Sequence, residues 1–363
     1  MLYLNPAGLS PFHPDIQEEV TRTLETFSRV LYSEAGVKLY RETIQQARET
    51  IASWLELQDA QRLAFVSNTT TACSLTLARI NWNPGDTLLT TTHENSTILH
   101  EIDTLRNRGI RVLSLDPDAT TGFLPALEQI LNEHTVRAIV ISHVSHLDGR
   151  IFPLATIQAL ARTHRALFLV DGAQAVGHIP ISFRQLDVDA YFFPGHKWCA
   201  GPMGTGALIL NEDFVRAFGT PVETHDQHEP DQPDWTSFEL GTQNIGLIAG
   251  FAKACSMKHQ EGSHNPALDQ IREEWKTCLQ RYHGVKILEW DGPHASGILS
   301  MVCLDDTTGQ LMQAMASTHF LAWKTFSHPS YPSKLSIRIS WATTTSQTDI
   351  RQALACFSSP KHG

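Results

Sequence analysis

The 363-residue chain has 42% hydrophobic and 18% charged residues, the proportions of an ordinary soluble globular protein, and is long enough for two or three domains. Its formal net charge of -10, with no basic stripe, argues against a nucleic-acid surface, because phosphate binding needs clustered Lys and Arg. The first twelve residues lack a basic start and an apolar core, no run approaches a membrane span, and the six cysteines are scattered without a C-x-x-C pair, so a cytoplasmic protein with reduced thiols and no metal site is expected.

Residues 2–10, punctuated by Pro6 and Gly8, read as an extended arm. Apolar spacing then predicts helices over 14–32 and 38–57. From Arg62 the texture changes, and short apolar runs at 63–66, 87–91, 112–115, 138–142, 167–170, 190–193 and 207–210 alternate with helical patterns. Continuous apolar strands alternating with helices predict an α/β fold with a largely parallel seven-stranded sheet covered on both faces. The Pro-rich, charged stretch 214–235 reads as a mobile loop, with His225 and His228 solvated. Helices over 245–260, 265–282, 310–319 and 349–357, with runs at 285–288, 298–304 and 335–341, predict a smaller α/β domain. The expected division is an arm at 1–13 associated with the small domain, a large domain at 14–245 and a small domain at 246–363.

Ligands of parallel sheets bind beyond the carboxyl ends of the strands, so the polar residues after each run matter most. They are Ser67 to Thr71, then Thr92 to Asn95 with His93, then His143 with Ser145 and His146, then Asp171 to Gln174, and then Gly195, His196 and Lys197. Lys197 stands where a buried run meets a Gly-rich turn. It is either a solvated loop lysine or a partly desolvated amine ready to form an imine with a carbonyl compound. Asn68 to Ala72 opens a helix, as an N-cap or as an anion site. Asp171 ends a strongly apolar run, where a carboxylate needs a cationic partner to stay ionised. Together these residues offer an amine, a carboxylate, an anion cup and, in His93, a flat ring. Those are the four things pyridoxal 5'-phosphate requires.

The order of a Thr cluster, a His after a strand, Asp171-Gly-Ala-Gln174 and Gly195-His-Lys197 resembles the fold-type I pyridoxal-phosphate enzymes of the class V aminotransferase and cysteine desulfurase family. The resemblance runs from the Asn5 arm to Arg338. It implies that Lys197 carries the cofactor, Asp171 pairs with the ring nitrogen, Gln174 bonds the ring oxygen and His93 stacks on the ring. Thr70, the Thr69 amide and His196 would hold the phosphate, and Thr242 would reach the phosphate of the other subunit of a homodimer. Arg338 would clamp the substrate carboxylate with its planar fork, with His146 and Asn5 near the substrate.

Departures from that family narrow the reaction. Desulfurases carry a nucleophilic cysteine on a loop shortly before the clamping arginine, but here 305–338 contains none and Pro329 occupies the corresponding position. Cys303 lies in an apolar run and reads as a core thiol. Cys199 follows Lys197 by two residues with nothing to place it over a substrate. Pro194 replaces a serine of the phosphate cup, and His146 stands where the family often has asparagine. Without an attacking thiol, the resemblance implies elimination at a carbon–sulfur bond. Residues 198–204 are similar to the cystine lyase branch. The expected activity is therefore a cystine or cysteine C-S lyase yielding pyruvate, ammonia and a thiol, persulfide or sulfide. Alternatives are an epimerase like isopenicillin N epimerase, an aminotransferase, a desulfurase with a non-standard thiol, or an idle cofactor-binding protein.

Overall fold

The computed structural model describes residues 2–219, 235–262, 266–319, 321–343 and 345–357. The chain opens with a short strand, β1 (Leu2–Tyr3), and two amphipathic helices, α1 (Pro14–Val30) and α2 (Glu34–Trp54). Helix α2 starts before the expected residue 38 because the Ser33 side chain caps it, accepting from the Gly36 amide. The alternating region then gives β2 (Leu63–Val66), α3 (Thr69–Arg79), β3 (Thr87–Thr91), α4 (Ser96–Thr104), β4 (Arg111–Leu115), α5 (Phe123–Glu133), β5 (Ala138–Ser142), α6 (Leu154–Thr163), β6 (Leu167–Asp171), β7 (Ala190–Pro194) and β8 (Gly206–Leu210).

Seven of these strands form one sheet in the order β2-β8-β7-β6-β5-β3-β4. The pairs from β4 through β7 are parallel, as the continuous apolar runs predicted, while β8 lies antiparallel between β2 and β7. Alternate residues of each strand enter opposite cores. Ile139, Ile141, Phe168, Val170, Tyr191 and Phe193 share one with α2 and α5, and Val140, Leu169, Phe192 and Leu208 share the other with α3 and α4. Full burial of each such side chain contributes roughly 1.5–3 kcal/mol, so the strand ends are held by a stiff frame.

The second half supplies α7 (Glu212–Phe218), α8 (Ile245–Glu261), α9 (Pro266–Leu279), β9 (Val285–Leu288), β10 (Ile298–Cys303), α10 (Asp306–His319), β11 (Leu321–Ala322), β12 (Lys324–His328), β13 (Tyr331–Ser340) and α11 (Gln347–Phe357). Strands β12-β13-β10-β9 form an antiparallel sheet. The loop expected from 214 begins as the last turn of α7, where Phe214 and Val215 are buried. His225 and His228 lie outside the described residues. Helix α8 belongs to the large-sheet core through Ile248, Phe251 and Cys255, and a Cβ on its Gly250 would lie 2.4 Å from Val20 of α1. We propose to draw the division between the two halves after α8 instead of at 245–246. The N-terminal arm pairs β1 in parallel with β11, and the Ser340 amide donates to the Leu4 carbonyl at 2.9 Å, so the arm lies beside the end of β13.

Candidate active site

Registers align the carboxyl ends of β2, β7 and β6 with the start of β8. Gly206 pairs with both Val66 and Pro194, and Asp171 pairs with Ser142 and Phe192. Beyond Pro194 the chain turns sharply, with Gly195 N–H donating to Thr205 O at 2.8 Å and Gly201 N–H to Gly195 O at 2.8 Å. A Cβ on Gly195 would sit 2.2 Å from Thr205 Oγ1, so only glycine fits there. This turn aims Lys197 into the mouth of the sheet.

Lys197 is half-buried, and loss of hydration lowers its pKa to about 8. Asp171 opposes that shift and Arg338 adds to it. Asp171, 4% exposed, accepts from the Ala173 amide at 2.8 Å. Burial raises its carboxyl, against the pull of Lys197. Because the folded-state pKa of Lys197 lies below the ordinary lysine value, the native chain sheds this proton between about pH 8 and 10.5 while the unfolded chain keeps it. The cofactor-free protein should therefore gain stability relative to Lys197→Met as pH rises through that window. Denaturant titrations at pH 7.5, 9 and 10 measure this, and a constant difference would contradict the buried amine.

Asn68 stands 3.4 Å from a Cβ placed on Gly206, which brings the start of α3 beside the lysine turn. The Asn68 side chain caps the helix through Thr71 N–H at 2.9 Å. Thr70 Oγ1 bonds Thr97 Oγ1 at 3.3 Å, linking the starts of α3 and α4. Glu94 ties the end of β3 to β5, accepting from Thr91 Oγ1 at 2.7 Å and Ser142 N–H at 3.0 Å, and so fixes the His93 turn. His93 is 1% exposed. Burial lowers its pKa to about 4.

Arg338, on β13, is 5% exposed. Its guanidinium donates to the His146 carbonyl at 2.9 Å and to Asn5 Oδ1 at 3.2 Å, so the arm does reach the site. Burial lowers its pKa to about 10. Burial also pushes His146 well below the ordinary histidine value, helped by Arg338 and Lys197.

Thr69 Oγ1, both ring nitrogens of His93, His146 Nδ1, His196 Nδ1 and Arg338 Nε are buried without a hydrogen-bond partner. Orphaned polar atoms of this kind cost about 1–3 kcal/mol each. Their concentration around Lys197 is what a site built for a polar ligand looks like. A phosphate would satisfy Thr69 and His196, and a carboxylate would satisfy Arg338. Gln174 is more committed than expected, donating Nε2–H to Ala7 O at 3.0 Å and accepting from Trp198 Nε1 at 2.7 Å. One Nε2 hydrogen is left for a ring oxygen. Thr242 is not brought into this group. It is exposed and lines an open cavity of about 330 Å³ with Phe27, Tyr32 and Tyr40.

A family model described as Aminotransferase class-V matches residues 15–352. The chain belongs to the class-V aminotransferase family. It is 33% identical over 242 residues to a cysteine desulfurase of Escherichia coli O157:H7, a match covering 62% of this chain and only 58% of that relative's length. It is 25% identical over 314 residues to a probable cysteine desulfurase of Methanothermobacter thermautotrophicus, covering 84% of this chain and 75% of that one. Among solved structures, the cystine C-S lyase C-DES in complex with its product cysteine persulfide superposes with a TM-score of 0.86 at 25% identity, covering 98% of this chain and 97% of that one. The fold is that of fold-type I pyridoxal-phosphate enzymes, and a C-DES mutant of the same fold carries glycine covalently linked to its PLP cofactor (TM-score 0.85, 24% identity, covering 98% of this chain and 96% of that one). Pyridoxal 5'-phosphate is the cofactor of this class-V chain, and the orphaned donors around Lys197 and Asp171 fit it.

A further group escaped the sequence reading. Asp118 Oδ2 lies 3.8 Å from His93 Nε2, and the His328 ring stands edge-on to His93 with centroids 5.2 Å apart. Possible ligand atoms of the three lie within 4.8 Å of one another. Arg150 braces the group, its guanidinium 2.5 Å from Asp118 Oδ1 and 2.7 Å from Asp148 Oδ2. Asp118 follows the end of parallel strand β4, so the strand-end rule pointed there as well.

Proposed function

We propose that this protein is a pyridoxal-phosphate-dependent lyase that eliminates sulfur from the β-carbon of cystine or cysteine. On cystine, one water is consumed and pyruvate, ammonia and cysteine persulfide are released. One observation carries the choice. The tip of the β12–β13 hairpin, where a desulfurase nucleophile would sit, meets His93 through His328, continues as Pro329 and Ser330 and has no thiol. The alternative thiol, Cys199, is buried, and its Sγ lies 3.6 Å from the Val176 carbonyl, on the core side. The similarity to cysteine desulfurases and to a cystine C-S lyase supports carbon–sulfur cleavage.

When bound, the cofactor supplies the electron sink that makes loss of the α-proton feasible. Arg338, itself held by the His146 carbonyl and Asn5 Oδ1, grips the substrate carboxylate and so orients the Cα–H bond. Lys197, with a pKa near 8 set by burial, takes the α-proton at Nζ. The C–S electrons depart with sulfur. Asp171 stabilises positive charge at the ring nitrogen, and Thr69, Thr70 and His196 anchor the phosphate. We further propose a homodimer in which Thr242, exposed beside the exposed Leu31, Tyr32 and Leu240, completes the partner's phosphate cup. A cytoplasmic location suits the free cysteines. No helix among the described residues is long and apolar enough to cross a membrane.

The test is a product screen with holoenzyme on cystine, cysteine and β-chloroalanine. Pyruvate should appear in step with persulfide from cystine. Alanine plus a protein-bound persulfide would instead mark a desulfurase, and a 2-oxo acid retaining its sulfur would mark an aminotransferase.

A further inference from the structure

We propose that Asp118 and the β12–β13 hairpin tip form the seat for the distal half of a disulfide substrate, and that Asp118 selects a leaving half bearing an ammonium group. The proposal rests on the lyase reading above and names its substrate more closely.

Position comes first. The loop after β4 and the hairpin tip meet at His93, where Ser330 Oγ donates to Asp118 Oδ2 at 3.4 Å and His328 lies edge-on to the His93 ring. Arg338 and His328 belong to the same hairpin. The register sets Arg338 opposite Lys324, four residues before His328. That interval is roughly 13 Å at about 3.3 Å per residue. An arginine side chain, a bound carboxylate and two disulfide-linked α-carbons roughly 5.5 Å apart together span it. A substrate gripped by its proximal carboxylate at Arg338 thus delivers its far end to Asp118 and His328.

Charge decides what that far end carries. Asp118 Oδ1 is taken by Arg150, whose Nε donates to Asp148 Oδ2 at 2.8 Å. One guanidinium against two carboxylates leaves one net negative charge. The two imidazoles do not offset it, since burial lowers the pKa of both His93 and His328. Asp118 Oδ2, with only the long Ser330 hydrogen bond, stands 3.8 Å from the partnerless Nε2 of buried His93. An ammonium group supplies donors to both. His328 Nδ1 accepts from Ser330 N–H at 3.2 Å, which puts the ring proton on Nε2, a donor for the carboxylate of the same distal half. A divalent metal is the competing occupant. The Arg150 guanidinium on the same carboxylate opposes a double charge more strongly than a single one.

Two mixed disulfides separate these possibilities: cysteine joined to cysteamine, whose distal half is only an amine, and cysteine joined to 3-mercaptopropionate, whose distal half is only an acid. Holoenzyme should favour the amine in kcat/KM by roughly fivefold, the scale of a single partly exposed ion pair, since Asp118 is 39% exposed. The ratio should fall to within about twofold in Asp118→Asn and return in Asp118→Glu. Dissociation constants of the two disulfides for Lys197→Ala, where turnover is blocked, should follow the same order. Equal use of both disulfides by the wild type, a preference that survives Asp118→Asn, or stoichiometric Zn²⁺ binding that requires His328 would each overturn the assignment. β-Chloroalanine has no distal half. Failure to release pyruvate from it sinks the lyase reading, whereas elimination without amine preference sinks only the subsite.

Discussion

Lys197→Ala in the cofactor-loaded protein is expected to lose the violet absorption band and to slow turnover by about 10⁴-fold, the upper range for a positioned proton-transfer group. The expectation follows from how the lysine is made usable. At its ordinary pKa an amine is almost wholly protonated at neutral pH and can neither form an imine nor take a proton. The drop to about 8 brings roughly a tenth of it into the free form at pH 7. Lys197→Arg should be as inactive, because a guanidinium is not deprotonated in this range. Added methylamine should recover part of the elimination rate in Lys197→Ala without restoring the native band. A variant that retained the band and a turnover within tenfold of wild type would remove Lys197 from the chemistry.

Much of this site was legible because it is written in strand ends. The apolar runs are buried on both faces, so they read as continuous strands, and five of their carboxyl ends pointed to His93, His146, Asp171, Lys197 and the α3 turn. What could not be read lies where spacing carries no signal. β12 is an exposed edge strand of the smaller sheet, and Lys324, Thr325, Phe326 and Ser327 show no apolar alternation. The hairpin that carries His328 was therefore missed, and β13 was expected to start four residues late. The pairing of Leu2 and Tyr3 with β11 joins residues more than three hundred positions apart, so spacing carried no sign of the reach of Asn5 to Arg338, and only the resemblance put Asn5 near the substrate. Asp118 was legible in principle. It follows the run 112–115, whose end was not among the five singled out. Thr242 has the opposite status, since the resemblance assigned it a role that one subunit by itself does not display.

Arg338→Ala is expected to lower kcat/KM for an amino-acid substrate by roughly 30- to 5,000-fold, from about 2–5 kcal/mol for removing one side of a buried charge pair, with the cofactor band intact. Arg338 is a guanidinium 5% exposed, bonded to a carbonyl and an amide oxygen, its Nε without a partner, and with no carboxylate within ion-pair distance among the described residues. A buried cation in that state is costly to the folded chain, and a bound carboxylate supplies both the missing charge and the missing acceptors. Two further results follow. Arg338→Lys should fail to rescue, because an ammonium cannot offer two parallel donors while also bonding His146 and Asn5. Arg338→Met should make the cofactor-free protein more stable as it becomes less active, the exchange expected when a charge is kept buried for a ligand. Cystamine, which lacks carboxylates, is the control. Wild type should discriminate against it strongly and Arg338→Ala hardly at all, and an unchanged preference in the variant would place the carboxylate elsewhere.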